Sequence, residues 1–271
     1  MKKLMTLLAS LMVFCSFAWS QDNVMTVNVK LPRGVKITGT NAPGEKPIVK
    51  NDDGSWTITY EGSNSREIKL SNADDCVYFI DGNDENGGQL RKADFYEYQI
   101  EISKDFVGSC SVEVCLKKDV IYFHEDSYDF AVEAGENVYN KTPSSLARFV
   151  KKGADVKLKD APNEGNDSRS FYYLDGNDNE WKPFSRKDLK DGKELKNVQN
   201  LVSGYLIQSA VSLISDRPDS LFNITPKNVS NNKVGDEHQF TYLYRGSHTF
   251  YVGADFPESM KPVYMPSDDV E

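Results

Sequence analysis

From Val24 to Lys118, apolar and polar side chains alternate with a period of two, the spacing that places every second residue on one face of a β-strand. Met25, Val27, Val29 and Leu31 alternate with Thr26, Asn28 and Lys30; Trp56, Ile58 and Tyr60 alternate with Thr57, Thr59 and Glu61. Tyr96, Tyr98, Ile100 and Ile102 repeat the pattern, as do Cys110, Val112, Val114 and Leu116, with Cys115 on the polar face. Turn-forming clusters separate these runs: Pro32-Arg33-Gly34, Asn51-Asp52-Asp53-Gly54 and Gly62-Ser63-Asn64-Ser65. Short strands with one buried face and frequent turns predict a mainly β fold. Over residues 21–118 the expectation is an antiparallel β-sandwich, immunoglobulin-like or of related architecture.

The texture changes after residue 118, and residues 119–255 read as a second β-rich domain with one or two short helices. Val120 to Phe123 and Tyr128 to Val132 read as strands. Thr142 as N-cap and Pro143 at the first helical position predict a helix, with Leu146, Phe149 and Val150 on one face and Gly153 ending it. A strand with Val156 and Leu158 inward follows. Leu195, Val198, Val202 and Leu206 have helical spacing, so a helix from about 186 to 202 is expected to pass into a strand. Phe240 to Tyr244 and His248 to Val252, flanking Arg245-Gly246-Ser247, predict a terminal hairpin. Residues 256–271 hold three prolines and end in acids, the composition of a flexible acidic tail.

The first twenty residues change the picture of where the protein works. Lys2 and Lys3 precede an apolar run from Leu4 to Phe17, and Ala18 and Ser20 supply the small residues that a signal peptidase needs before Gln21. This predicts a secretory signal peptide over 1–20 and a periplasmic, cell-surface or extracellular protein. No second apolar run is long enough to span a bilayer, so no membrane span is expected after cleavage. The remaining 251 residues carry 30 basic against 41 acidic side chains, a net charge of −11 that disfavours nucleic acid as a partner. Three cysteines remain. Cys110 and Cys115 fall on opposite faces of one strand, roughly 16 Å apart and too far to bridge, so any disulfide must include Cys76, and Cys76 with Cys110 is the favoured candidate because Cys76 lies beside an apolar strand and Cys110 faces the core.

Candidate chemistry gathers at one internal echo. Cys-Val-Tyr-Phe-Ile-Asp-Gly-Asn-Asp-Glu-Asn at 76–86 returns as Ser-Phe-Tyr-Tyr-Leu-Asp-Gly-Asn-Asp-Asn-Glu at 170–180, which suggests an internal duplication. The plain reading is a buried strand running into a turn, since aspartate and asparagine bond the local backbone and glycine accepts positive φ. A second reading is a calcium site built from Asp81, Asn83, Asp84 and Glu85. Neither copy follows EF-hand spacing, because Asn86 or Glu180 stands where glycine is required and Lys92 or Arg186 where the closing acid is required. A third reading is ligand binding by Tyr172, Asp175, Asn177, Asp178 and Trp181, where aromatic faces beside carboxylates suit a glycan. The sequence contains no G-x-S-x-G elbow, H-E-x-x-H helix or Gly-rich phosphate loop. His124-Glu125-Asp126 reads as a solvated loop. The expectation is therefore a non-catalytic binding or envelope-structural protein with a glycan or protein partner. The alternative is a secreted, glycosidase-like hydrolase using Asp81 with Asp84 or Asp175 with Asp178.

Overall fold

A computed structural model describes residues 24–62, 65–125, 130–133, 137–142, 145–159, 169–209, 211–226, 233–234, 237–238, 240–246, 248–252 and 263–265. The chain divides into two compact units, Met1–Lys117 and Lys118–Glu271. In the first unit the alternating runs become nine strands: β1 (Val24–Lys30), β2 (Lys36–Thr40), β3 (Ile48–Lys50), β4 (Trp56–Glu61), β5 (Arg66–Ser71), β6 (Cys76–Asn83), β7 (Gln89–Phe95), β8 (Ile100–Ile102) and β9 (Val107–Leu116). One sheet runs β3-β4-β1-β9-β6-β7, and a smaller one runs β2-β5-β8. Their inner faces share one core. Val27, Ile58, Ile80 and Val112 come from the first sheet and Ile68, Ile100 and Ile102 from the second, all fully buried. Tyrosine hydroxyls tie the layers where polar atoms enter that core: Tyr60 donates to the Glu67 carbonyl (2.9 Å), and Tyr96 accepts from the Leu70 amide (2.9 Å). Burial pushes the Tyr60 hydroxyl up to about 12, partly opposed by its bond to Thr40.

The first unit is thus a sandwich of mainly antiparallel sheets, as the alternation predicts. One pair is parallel: β1 lies between β4, antiparallel, and β9, parallel, with Val27 opposite both Ile58 and Cys110. The run from Tyr96 to Ile102 is not one continuous strand. Tyr96 is buried, but the chain turns before Ile100 and leaves Tyr98 67 % exposed.

The disulfide candidate is overturned by register. On the antiparallel β6/β9 ladder Cys76 lies opposite Leu116 and Cys110 lies opposite Gly82. Six residues of strand, about 20 Å, therefore separate the two, against a limit near 7 Å between bridged Cα atoms. Among the described residues, Cys76, Cys110 and Cys115 take part in no disulfide. Cys76 and Cys110 are buried, and desolvation pushes the Cys110 thiol up to about 12 despite the nearby Arg66 cation. In denatured protein Cys76, Cys110 and Cys115 should each titrate as thiols without reductant, and in native protein the half-buried Cys115 should react before the other two. A nonreducing peptide map joining Cys76 to Cys110 would defeat this expectation.

The second unit holds β10 (Val120–His124), β11 (Ala131–Val132), β12 (Val138–Asn140), β13 (Ala147–Lys151), β14 (Ala154–Lys159), β15 (Ser170–Asp175), β16 (Glu180–Phe184), α1 (Arg186–Lys190) and β17 (Glu194–Ser209). Five more strands follow: β18 (Leu213–Ser215), β19 (Leu221–Asn223), a short β20 (Lys233–Val234) with β21 (Glu237–His238), and β22 (Phe240–Tyr244). Last come β23 (His248–Val252) and β24 (Val263–Met265). Strands β10-β13-β12 face the sheet β11-β14-β17-β15-β16 across a core of Phe123, Phe130, Val150, Leu158, Phe171 and Leu195. Among the described residues no helix is long and apolar enough to cross a membrane.

Both expected helices of this unit need correction. The segment after Thr142 forms β13, not a helix: Ala147, Arg148, Phe149 and Val150 are all buried, so the run is wrapped on both faces rather than amphipathic. Pro143 lies outside the described residues. Gly153, at φ +84°, serves the turn from β13 to β14. The expected 186–202 helix is five residues long. Ser185 and Asp188 close a capping box, the Ser185 amide donating to Asp188 Oδ2 (2.7 Å), and Gly192 at φ +63° lets the chain leave after Asp191. From Glu194 onward the chain is one sixteen-residue strand. Its helix-like spacing has a specific cause. Ala154 and Val156 oppose Val198 and Leu195, and Leu174 and Asp175 oppose Asn200 and Val198, so each ladder carries an extra residue on β17. These two bulges bring Leu195, Val198 and Leu201, three apart, into the same core, with Asn197 at φ +47°.

The terminal segments are strands, but their pairing differs from a hairpin. β22 pairs with β17 and β19, whereas β23 pairs with β18 and β24. The chain thus passes after Tyr244 from one sheet to another, with Gly246 at φ +71° and Tyr244 edge-on to Phe250. Gly204 permits the β17/β22 approach, since a Cβ there would sit 2.1 Å from the Tyr244 carbonyl oxygen. Within the segment expected as a tail, Val263–Met265 forms β24.

Candidate functional site

Each copy of the echo is a strand entering a hairpin, β6 into β7 and β15 into β16, but the first strand runs on to Asn83 whereas the second ends at Asp175, the position that matches Asp81. Their acids do the same work. The first aspartate of each copy meets a cation on the returning strand, Asp81 with Arg91 (3.5 Å) and Asp175 with Lys182 (2.7 Å). The second closes the turn by accepting the amide two residues ahead, Asp84 from Asn86 (2.9 Å) and Asp178 from Glu180 (3.1 Å). In the second copy Asp175 also accepts from the Asn177 amide, and Asn177 accepts from the Asn197 side chain. The bond from Lys182, then that from Asn177, hold the Asp175 carboxyl below its usual range, and Lys182 is held above its own first by Asp175 and then by Asp178. A depressed folded-state value means that the stability due to Asp175 is present above about pH 4 and is lost as pH falls through the folded value.

These arrangements correct the metal reading. Asp81 lies on β6 with its oxygens toward Gln89 and Arg91, while Asp84 Oδ1 is taken by the Asn86 and Gly88 amides. Asn83 and Glu85 are exposed. Among the described residues no three side chains of His, Cys, Asp or Glu converge to hold a cation.

The ligand-binding set is likewise not one surface. Strand alternation places Tyr172, Leu174 and Trp181 on one face of the β15/β16 hairpin and Tyr173, Asp175 and Lys182 on the other. Tyr172 and Trp181 are half-buried against Val202, Ile224 and Leu243, with Trp181 edge-on to Phe222 at 5.8 Å. The tryptophan is thus part of a small core with its carboxylate neighbours on the opposite face. Of the five residues, only Tyr172 lines the recess of about 280 Å³ on this hairpin, where the Arg169 guanidinium lies over Tyr205 and that of Arg186 over Phe171.

His124 and Glu125 separate in the same way. His124 is exposed, whereas Glu125 is 3 % exposed and takes both arms of Arg148, Nε to Oε1 at 3.0 Å and Nη2 to Oε2 at 2.9 Å. Glu125 Oε1 also accepts from the Val132 amide, which fixes β11. Asp126 lies outside the described residues.

A second recess, of about 320 Å³ in the first unit, has a composition the motif search passed over. Val24, Met25, Arg66, Glu85, Lys104 and Val107 line it. Arg66 opens β5 in phase with Ile68 and Leu70, so the alternation carries an arginine to a core-facing position, where it is 5 % exposed. That phase is visible in Arg66-Glu67-Ile68-Lys69-Leu70 and is the signal that finds it.

The described fold is two mainly β units, and the aspartates of both echoed loops are held by ion pairs or by the turns they close. The chain matches no family model, no curated protein and no solved structure.

Proposed function

We propose that the chain is an exported, non-catalytic binding protein and that the first unit carries its binding recess. The observation that carries this reading is the recess itself: rigid strands present aliphatic side chains, two cations and a single carboxylate, Glu85, around one concavity. Export rests on residues 1–20, whose basic start, apolar run and small residues before Gln21 have the form of a cleavable signal. A glycosidase would need two carboxylates free to face one substrate, and Asp81, Asp84, Asp175 and Asp178 are each held by a cation or by the turn they close. A glycan platform would need Trp181 beside those acids, and alternation separates them. A protein or small-molecule partner therefore fits better than a polysaccharide.

The test uses protein recovered from the exporting cell, which should begin at Gln21 by intact mass. Applied to arrays of glycans and peptides and to chromogenic glycosides, it should release no product from any of them. Product release that disappears in Asp81→Asn or Asp175→Asn would establish the hydrolase instead.

A further inference from the structure

The Arg66 recess also specifies a ligand class, and this step rests on the binding reading above. Arginine buried to this extent is ordinarily paired with a carboxylate. Arg66 Nη1 donates to the carbonyls of Ser103 (3.2 Å) and Phe106 (3.3 Å), and Nη2 makes one long contact to the Gly62 carbonyl (3.5 Å). Its Nε is buried and has no hydrogen-bond partner. Among the described residues no carboxylate lies within 4.0 Å of Arg66 or of Lys104. The Nε hydrogen thus has no acceptor, and beyond the long Gly62 contact one Nη2 hydrogen is uncommitted, so the guanidinium keeps capacity for a charge-assisted bond to a carboxylate. Carbonyl dipoles solvate the cation without cancelling its charge.

The rest of the lining says what the carboxylate is attached to. Val24 and Val107 are 45 % and 39 % exposed, large for valines on strands, and stand at the starts of β1 and β9, two residues before the paired Thr26 and Ser109. They form an aliphatic wall beside the cations. Lys104 and Glu85, both exposed, also line the recess, and the Glu85 charge disfavours a multiply charged anion such as phosphate. The volume is at the low end for ligand pockets and suits one short chain. We infer that this recess binds a monocarboxylate carried on a short aliphatic chain, with the carboxylate on Arg66 and Lys104 and the carbon chain against Val24 and Val107.

The probes are hexanoate, hexanol and inorganic phosphate, titrated into the isotopically labelled mature chain. Hexanoate should saturably shift the Arg66 Nε–H resonance and the Val24 and Val107 methyl resonances, while hexanol and phosphate at equal concentration should not. Lys104→Gln and Val107→Ser change exposed side chains and leave the core intact; each should weaken hexanoate binding several-fold, and Arg66→Gln by about tenfold or more. The inference is overturned if hexanoate gives no saturable shift up to about 10 mM, if Lys104→Gln and Val107→Ser bind as wild type does, or if phosphate competes equally. Failure of the hexanoate titration leaves the glycoside assay untouched, so loss of this ligand class and loss of the binding reading are separately visible.

Discussion

Replacing Glu125 with alanine is expected to destabilise the second unit by about 3 to 5 kcal/mol, the cost of leaving a buried charge without its partner. Arg148, 9 % exposed, would keep only its bond to the Ser145 carbonyl after losing both carboxylate oxygens. The Val132 amide would lose its acceptor as well, so β11 should loosen with the pair. Replacing both partners, as in Glu125→Leu with Arg148→Met, should recover much of the loss, because the desolvation penalty leaves with the charges. Denaturant midpoints of the two variants and wild type decide the matter: a loss below about 1 kcal/mol for Glu125→Ala would mean the pair is effectively solvated.

Trp181→Ala should cost about 3 kcal/mol, the low end of the range for removing a large aromatic from a core, since the ring is half-buried. The lost contacts are with Phe222 and with the cluster of Val202, Ile224 and Leu243, which joins β16 to β17, β19 and β22. An exposed anchor would behave differently, with a change within about 0.5 kcal/mol. Thermal melting separates the two readings, and an unchanged midpoint would return Trp181 to the surface. Asp178→Asn is the companion measurement: it keeps an oxygen for the Glu180 amide and weakens only a half-exposed ion pair, so its effect should be small.

The sequence is most legible where one face is buried and the other wet. Met25, Val27, Val29, Ile58, Tyr60, Cys110, Val112 and Val114 all point inward as their spacing says. It misleads where a strand departs from that condition. The bulges of β17 turn a period of two into intervals of three, which is the helical signature, and β13 is buried on both faces, which erases the period altogether. Tyr98 keeps the alternation of its neighbours although the chain has already turned away from the core. Pairing is less legible still. The residues around Gly246 specify a reversal, yet whether the second strand returns to its neighbour or crosses to another sheet depends on partners such as Ile214 and Tyr264 that local sequence does not name. At the echoed loops the residue types alone do not distinguish a cation cage from a turn. Arg91 and Lys182 on the returning strands engage the first aspartate of each loop, a pairing that appears only with the register.

The parallel contact between β1 and β9 has a kinetic consequence. Pairing Val27 with Cys110 closes a loop of roughly eighty residues, and the entropy of that closure must be met before the contact returns any free energy. Strand β1 can dock on β4 early through a much shorter loop, but its other edge stays open until β9 has been synthesised and placed. A sheet completed by joining its first strand to its last belongs to the slow-folding class of topologies, in which sequence-distant contacts set the rate. During that interval β1 keeps one strand edge unpaired, and the first unit closes only once nearly all of it is present.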